Sequence, residues 1–145
     1  MTTKIPSESH LINKISLKEE IISLSSDLMY PSESDEKMEY FEMEVSTDEK
    51  LSLANFRMYN GIRPEIEMEE MAYEKFFAPL IKTEDWFGDD EKKWVDDSQK
   101  LKQLLSEKLK DVQIYKVGKI EIDVYLFGKS EECKWEGIKT KLIET

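Results

Sequence analysis

Lys119-Ile120-Glu121-Ile122-Asp123-Val124-Tyr125-Leu126-Phe127 sets Ile120, Ile122, Val124 and Leu126 against Glu121, Asp123 and Tyr125. Successive side chains of a strand point to opposite faces, so this period of two predicts a strand with one apolar face. Gln113 to Val117 reads as the strand before it, with Gly118 supplying a tight turn or a bulge between them. Upstream, Trp94, Leu101, Leu104, Leu105 and Leu109 fall on one side of a long helical stretch whose other side is Lys and Glu. Downstream, Gly128 to Gly137 reads as a polar loop and Ile138 to Ile143 as a last strand. A helix of that length needs an apolar surface to cover, and a sheet supplies one.

The N-terminal half extends the same architecture. Ser16-Leu17-Lys18-Glu19 fits a capping box, and Leu17, Ile21, Leu24 and Leu28 follow at helical spacing. Leu11, Ile12 and Ile15 fit the same face, so the pattern reaches upstream. Pro31 pushes Tyr30 out of helix, and Ser32-Glu33-Ser34-Asp35 becomes an exposed acidic loop. Phe41, Met43 and Val45 alternate with Tyr40, Glu42 and Glu44 as a strand. Asp48 to Lys50 makes a turn, Leu51 to Tyr59 a second strand, and Asn60-Gly61 another turn. Ile66 and Met68 mark a short strand, and Pro79 limits a helix begun at Tyr73. Residues 83–90 form a loop mixing acids with two exposed aromatics, Trp86 and Phe87. The expectation is an α/β (α+β) chain with helices packed on a mostly antiparallel sheet. Residues 1–15 form an N-terminal extension, flexible or helical, and residues 16–145 a single domain, since no repeat or Pro/Gly/Ser-rich linker interrupts them.

At 145 residues and 17.1 kDa the chain supports one hydrophobic core. Its net charge of −11 is unevenly spread. Residues 32–49 hold eight acids and one lysine, and residues 65–97 hold twelve acids and four lysines. Residues 50–64, by contrast, carry Lys50, Arg57 and Arg63 with no acid. Such a surface repels phosphate backbones and anionic lipid, which argues against direct nucleic-acid or membrane binding and points to basic proteins or metal ions. A solvated acidic face is the ordinary explanation of such blocks, and a surface steering toward a basic partner is the functional one. The apolar runs are too short for a membrane span, no secretory h-region follows the first lysine, and Cys133 has no internal disulfide partner. Together these favour the cytoplasm.

Catalytic chemistry is scarce. His10 is the one histidine, which excludes a multi-histidine metal site. Cys133 stands beside Glu131 and Glu132, which disfavour a thiolate. There is no GxGxxG or Walker loop, and Asp89-Asp90-Glu91 lacks the ligand spacing and glycine of a calcium loop. Carboxylates are too numerous for counting to single out an acid/base pair. No cofactor and no metal site of its own are expected, and nothing asks for an enzyme.

Several strings, taken in order, are more specific. These are Tyr30-Pro31-Ser32-Glu33-Ser34-Asp35, Phe76-Phe77, Glu84-Asp85-Trp86-Phe87, Val112 through Tyr125, and Gly137 through Thr145. In this order and spacing the chain resembles the nuclease A inhibitor family, small acidic proteins that block sugar-nonspecific endonucleases. The similarity runs from about Ser16 to the last residue, is close over 76–145 and is weak over 46–70. The resemblance implies a three-layer α-β-α sandwich, monomeric alone, that places acids into the basic active-site cleft of a Mg²⁺-dependent nuclease. Carried over by position, Glu33, between Ser32 and Ser34, would reach the partner's Mg²⁺ site. Asp85 and Trp86 would contact the nuclease beside the cleft, and Thr145 would engage the same site through its hydroxyl and terminal carboxylate. The chemistry is sound: Mg²⁺ prefers oxygen ligands, and a cleft built for phosphates attracts an acidic loop.

Each residue also has a plainer reading. Glu33 can be a loop acid, Asp85 a helix cap, Trp86 a core residue and Thr145 a fraying end. Tyr115, Tyr125 and Phe127 read as sheet packing, Trp94 as core, and Trp135 as cover for a sheet edge. Pro31 departs from the apolar, non-proline residue of the family pattern, and the segment with Arg57 and Arg63 follows that pattern loosely. Those arginines would repel a basic nuclease or pair with the chain's own acids. The leading expectation is therefore a cytoplasmic, non-catalytic nuclease inhibitor. The alternatives are an interaction module of the same fold with another basic partner, or a carboxylate-based enzyme with two acids converging in a pocket.

Overall fold

Ser16 opens the first helix, α1 (Leu17–Ser25), by accepting the Glu19 N–H at 3.2 Å, while the Glu19 carboxylate accepts the Ser16 hydroxyl. The computed structural model describes residues 16–31, 35–43, 51–130 and 134–144. After α1 comes a small antiparallel pair, β1 (Met29–Tyr30) and β2 (Glu36–Lys37), and then β3 (Glu39–Met43). A short helix α2 (Leu53–Tyr59), strand β4 (Met68–Glu70) and helices α3 (Tyr73–Ile81) and α4 (Asp89–Lys108) lead into β5 (Lys110–Val117), β6 (Glu121–Lys129) and β7 (Trp135–Ile143).

The five longer-range strands form one antiparallel sheet in the order β3-β7-β6-β5-β4. Its central strand is the alternating stretch. Ile122, Val124 and Leu126, with Ile114, Ile138 and Leu142, face a core closed by Ile21 of α1, Phe76, Phe77 and Leu80 of α3, and Leu101 and Leu105 of α4. Tyr125 and Phe127 face the opposite way, into a second core with Tyr115, Trp135 and Phe56 of α2. Helices therefore cover both faces of the sheet, giving the three α-β-α layers. The β5–β6 turn uses Gly118 at φ 115°, where a Cβ would lie 2.5 Å from the Glu121 carbonyl oxygen.

Four local expectations are corrected. Leu51 to Tyr59 is not a strand: Ser52 caps α2 by accepting the Asn55 N–H at 3.1 Å, and Asn60-Gly61 ends it. Ile62 N–H reaches the Arg57 carbonyl at 2.9 Å and Gly61 N–H that of Met58 at 3.3 Å, with Gly61 at φ 63°, the two bonds of a Schellman close. Pro79 lies inside α3 rather than ending it. The carbonyl it leaves without a donor belongs to Lys75, on the exposed side of the helix with Pro79 itself, where water can serve it. The loop after β6 is shorter than Gly128 to Gly137, since both glycines lie within paired strands. Trp135 is fully buried in the second core, not draped over an edge.

Candidate functional site

Asp85 and Trp86 occupy the turn between α3 and α4, closed by the Phe87 N–H donating to the Glu84 carbonyl at 3.1 Å. Trp86 is 73% exposed, the most exposed large hydrophobic side chain among the described residues. Its ring stands edge-on to Phe87, centroids 4.6 Å apart. An indole so placed adds nothing to either core, and its large amphipathic surface is the kind enriched at interface centres. The core reading of Trp86 is therefore overturned. So is the reading of Asp85 as the cap of α4. The cap position is Gly88, whose N–H donates to the Glu91 carboxylate at 2.9 Å. Asp85 is exposed and has no hydrogen bond or ion pair among the described residues. Asp89, Asp90 and Glu91 fill the first turn of α4, where the helix N-terminus favours negative charge, and they continue the acidic surface begun at Glu84.

Ser32, Glu33 and Ser34 lie outside the described residues, as does Thr145. Their neighbours in the chain are described. Tyr30, two residues before Ser32, is buried, stacks on Phe76 with centroids 4.6 Å apart, and donates its hydroxyl to the Phe76 carbonyl at 2.7 Å. Burial, and then the nearby Glu144 carboxylate, push its phenol well above the usual tyrosine range. Pro31 and Asp35, on either side of Ser32–Ser34, line a groove with Asp27, Met29 and Trp94. Trp94 lies two turns into α4, the helix that starts just after Trp86, so it is half-buried groove wall as well as core. At the other end, the Glu144 N–H donates to the Ile120 carbonyl at 2.9 Å, and its carboxylate lies 3.7 Å from the Lys116 ammonium. On the far side of Ser32–Ser34, β2 is tied to β7 by the Thr140 hydroxyl, which donates to the Lys37 carbonyl at 2.9 Å.

Sequence reasoning assigns Lys116 no role beyond a place in a strand. It is only 17% exposed and reaches Glu69 at 3.3 Å as well as Glu144. Nothing in local spacing could have revealed this, because the three residues belong to different strands or their ends.

The buried carboxylate of Glu136 is structural. The Tyr40 hydroxyl donates to Glu136 Oε1 at 2.8 Å, and burial, with that bond second, raises the Tyr40 phenol far above its ordinary value. Glu136 is 1% exposed, so no substrate reaches it. Arg63 pairs with Glu65 at 3.2 Å, as the second reading of those charges has it, whereas Arg57 donates to the Arg63 backbone carbonyl and not to an acid. Among the described residues no group of three or more His, Cys, Asp or Glu side chains is arranged to hold a metal ion, and no helix is long and apolar enough to cross a membrane.

Residues 16–145 match the family model described as nuclease A inhibitor-like protein. No curated protein matches the chain.

Proposed function

The chain belongs to the nuclease A inhibitor-like family, and from that premise we propose that it binds and blocks the active site of a Mg²⁺-dependent, sugar-nonspecific nuclease, without catalysis of its own. It would act in the cytoplasm, protecting the cell's own nucleic acids. The observation that carries this reading is the turn at Asp85 and Trp86. An exposed indole beside an unpaired carboxylate, bordered by further acids, suits the rim of a basic cleft better than it suits folding. Glu33 would enter the cleft and meet the metal or its waters, flanked by Ser32 and Ser34, and Thr145 would engage the same site. Mg²⁺ binds a carboxylate readily, directly or through water, and the molecule's net charge of −11 would speed the encounter with a basic cleft.

The test is titration of the untagged protein into such a nuclease with Mg²⁺ in excess, which excludes simple chelation. Stoichiometric loss of nuclease activity is expected. Glu33→Ala should relieve it, and Trp86→Ala should weaken it by about 2 kcal/mol, roughly 30-fold, with no change in melting temperature. Full-strength inhibition by both variants would remove the proposed contacts. No inhibition by the native chain, with stoichiometric capture of a different basic protein, would establish the second reading, an interaction module of the same fold.

A further inference from the structure

Asp27, Met29, Pro31, Asp35 and Trp94 line a groove of about 330 Å³ where the end of α1 and strand β1 meet the early turns of α4. Two of its walls are flat and stiff: the half-buried Trp94 indole and the Pro31 ring, whose φ is fixed. Pro31 is also the residue at which the chain departs from the family pattern. Met29 is 42% exposed, an apolar side chain that the fold leaves in water. The two acids are exposed, and neither has a hydrogen bond or an ion pair among the described residues. Lys93 is near enough to feel the charge of Asp27, but its ammonium is bound to Asp97 at 2.6 Å. Trp86 takes no part in this groove.

Unpaired charges of one sign on a groove with apolar walls focus a negative potential inside it. A cation carried on an apolar stem satisfies both the acids and the apolar walls at once. A lysine ammonium is compact and strongly hydrated. A guanidinium is planar and weakly hydrated, stacks on an aromatic face, and presents several N–H donors to carboxylates. We propose that the groove is a socket for an arginine side chain of the partner: the guanidinium stacks on Trp94 and donates to Asp27 and Asp35, while the methylenes cover Met29. An arginine on the rim of a phosphate-binding cleft is the occupant, and that identity rests on the inhibitor reading above.

The experiment has two arms. In the first, with no nuclease present, N-acetyl-arginine amide is titrated into the protein, and the indole N–H signals of its three tryptophans are followed by NMR. The Trp94 signal should move and saturate, while that of the buried Trp135 stays in place. Asp27→Asn combined with Asp35→Asn should weaken this binding about fivefold or more, and N-acetyl-lysine amide should bind about threefold less tightly or worse. Both acids are exposed, so the double variant should fold, and an unchanged melting temperature checks this. A Trp94 signal that never saturates, or that saturates equally in the double variant, would overturn the socket, whatever the partner. Equal binding of the lysine amide would overturn the guanidinium. In the second arm, nuclease inhibition is measured for the same double variant and for Glu107→Gln combined with Asp111→Asn, which removes the same charge around the far end of α4. A loss of about tenfold is expected in the first and less than about twofold in the second. Equal losses would mean long-range attraction without a contact and would overturn the proposal. If the native chain inhibits no such nuclease, the functional reading fails, while the titration still decides whether the groove takes a guanidinium.

Discussion

Single residues decide how closely the layers approach. Gly137 lies in β7 between Phe127 of β6 and Phe41 of β3. A Cβ there would fall 1.9 Å from the Leu126 carbonyl oxygen, a backbone atom that cannot swing aside. Gly137→Ala should therefore cost about 3 kcal/mol or more, since the whole ladder must shift to admit one methyl group, and urea titration would measure it. A loss below about 1 kcal/mol would show that the sheet yields there. In sequence, Gly128 and Gly137 look like loop punctuation, because glycine signals a turn and a close backbone approach equally well. The candidate site divides in the same way. Trp86 stands out in sequence by its acidic neighbours, and its exposure agrees with that. The Lys116–Glu144 contact is invisible there, because a cross-sheet ion pair leaves no trace in local spacing.

At the scale of elements, strongly periodic segments are legible and the ambiguous ones are not. The alternation over Ile122 to Leu126 and the helical stripe of Leu101 and Leu105 each admit one reading. Residues 51–59 admit two. They are too short for a clear helical repeat, and Asn60-Gly61 serves a hairpin turn as readily as a helix close. What settles the matter is tertiary: the Leu51 N–H donates to Gln113 Oε1 at 3.1 Å, Gln113 Nε2 donates to the Leu51 carbonyl, and Tyr115 donates to that carbonyl at 2.9 Å. This fastens the start of α2 across the sheet. Phe56 then enters the second core, its ring about 5 Å from those of Tyr115, Tyr125 and Phe127. Phe56→Ala should cost about 3–5 kcal/mol by denaturant unfolding, whereas Met58→Ala, on the exposed side of the same helix, should change stability by less than about 0.5 kcal/mol. Equal effects would mean that α2 is an ornament on the sheet and not its third layer.

For the whole molecule, the acidic composition draws attention to low pH, yet the buried phenols point to the alkaline side. Tyr30, Tyr40, Tyr73 and Tyr115 all have phenols raised above the ordinary value of 10.0, with burial the largest cause in each. Neighbouring carboxylates add to it: Glu144 for Tyr30, Glu136 for Tyr40, Glu74 for Tyr73 and Glu70 for Tyr115. The unfolded chain releases these protons near pH 10, while the folded chain keeps them, so the unfolded state binds fewer protons above that point. The stabilising contribution is thus complete below pH 10 and declines as pH rises further, by up to about 1.4 kcal/mol per pH unit for each fully shielded phenol. The buried Tyr30 and Tyr115 come closest to that limit, and the half-buried Tyr40 and Tyr73 fall short of it. Against a typical domain stability of about 5–15 kcal/mol, this slope should unfold the protein cooperatively within about two units above pH 10. Tyrosinate absorbance and near-ultraviolet circular dichroism should then change together in one steep step. Gradual ionisation of all the tyrosines near pH 10, with the aromatic dichroism intact, would show that water reaches these hydroxyls and that the two cores are looser than their packing implies.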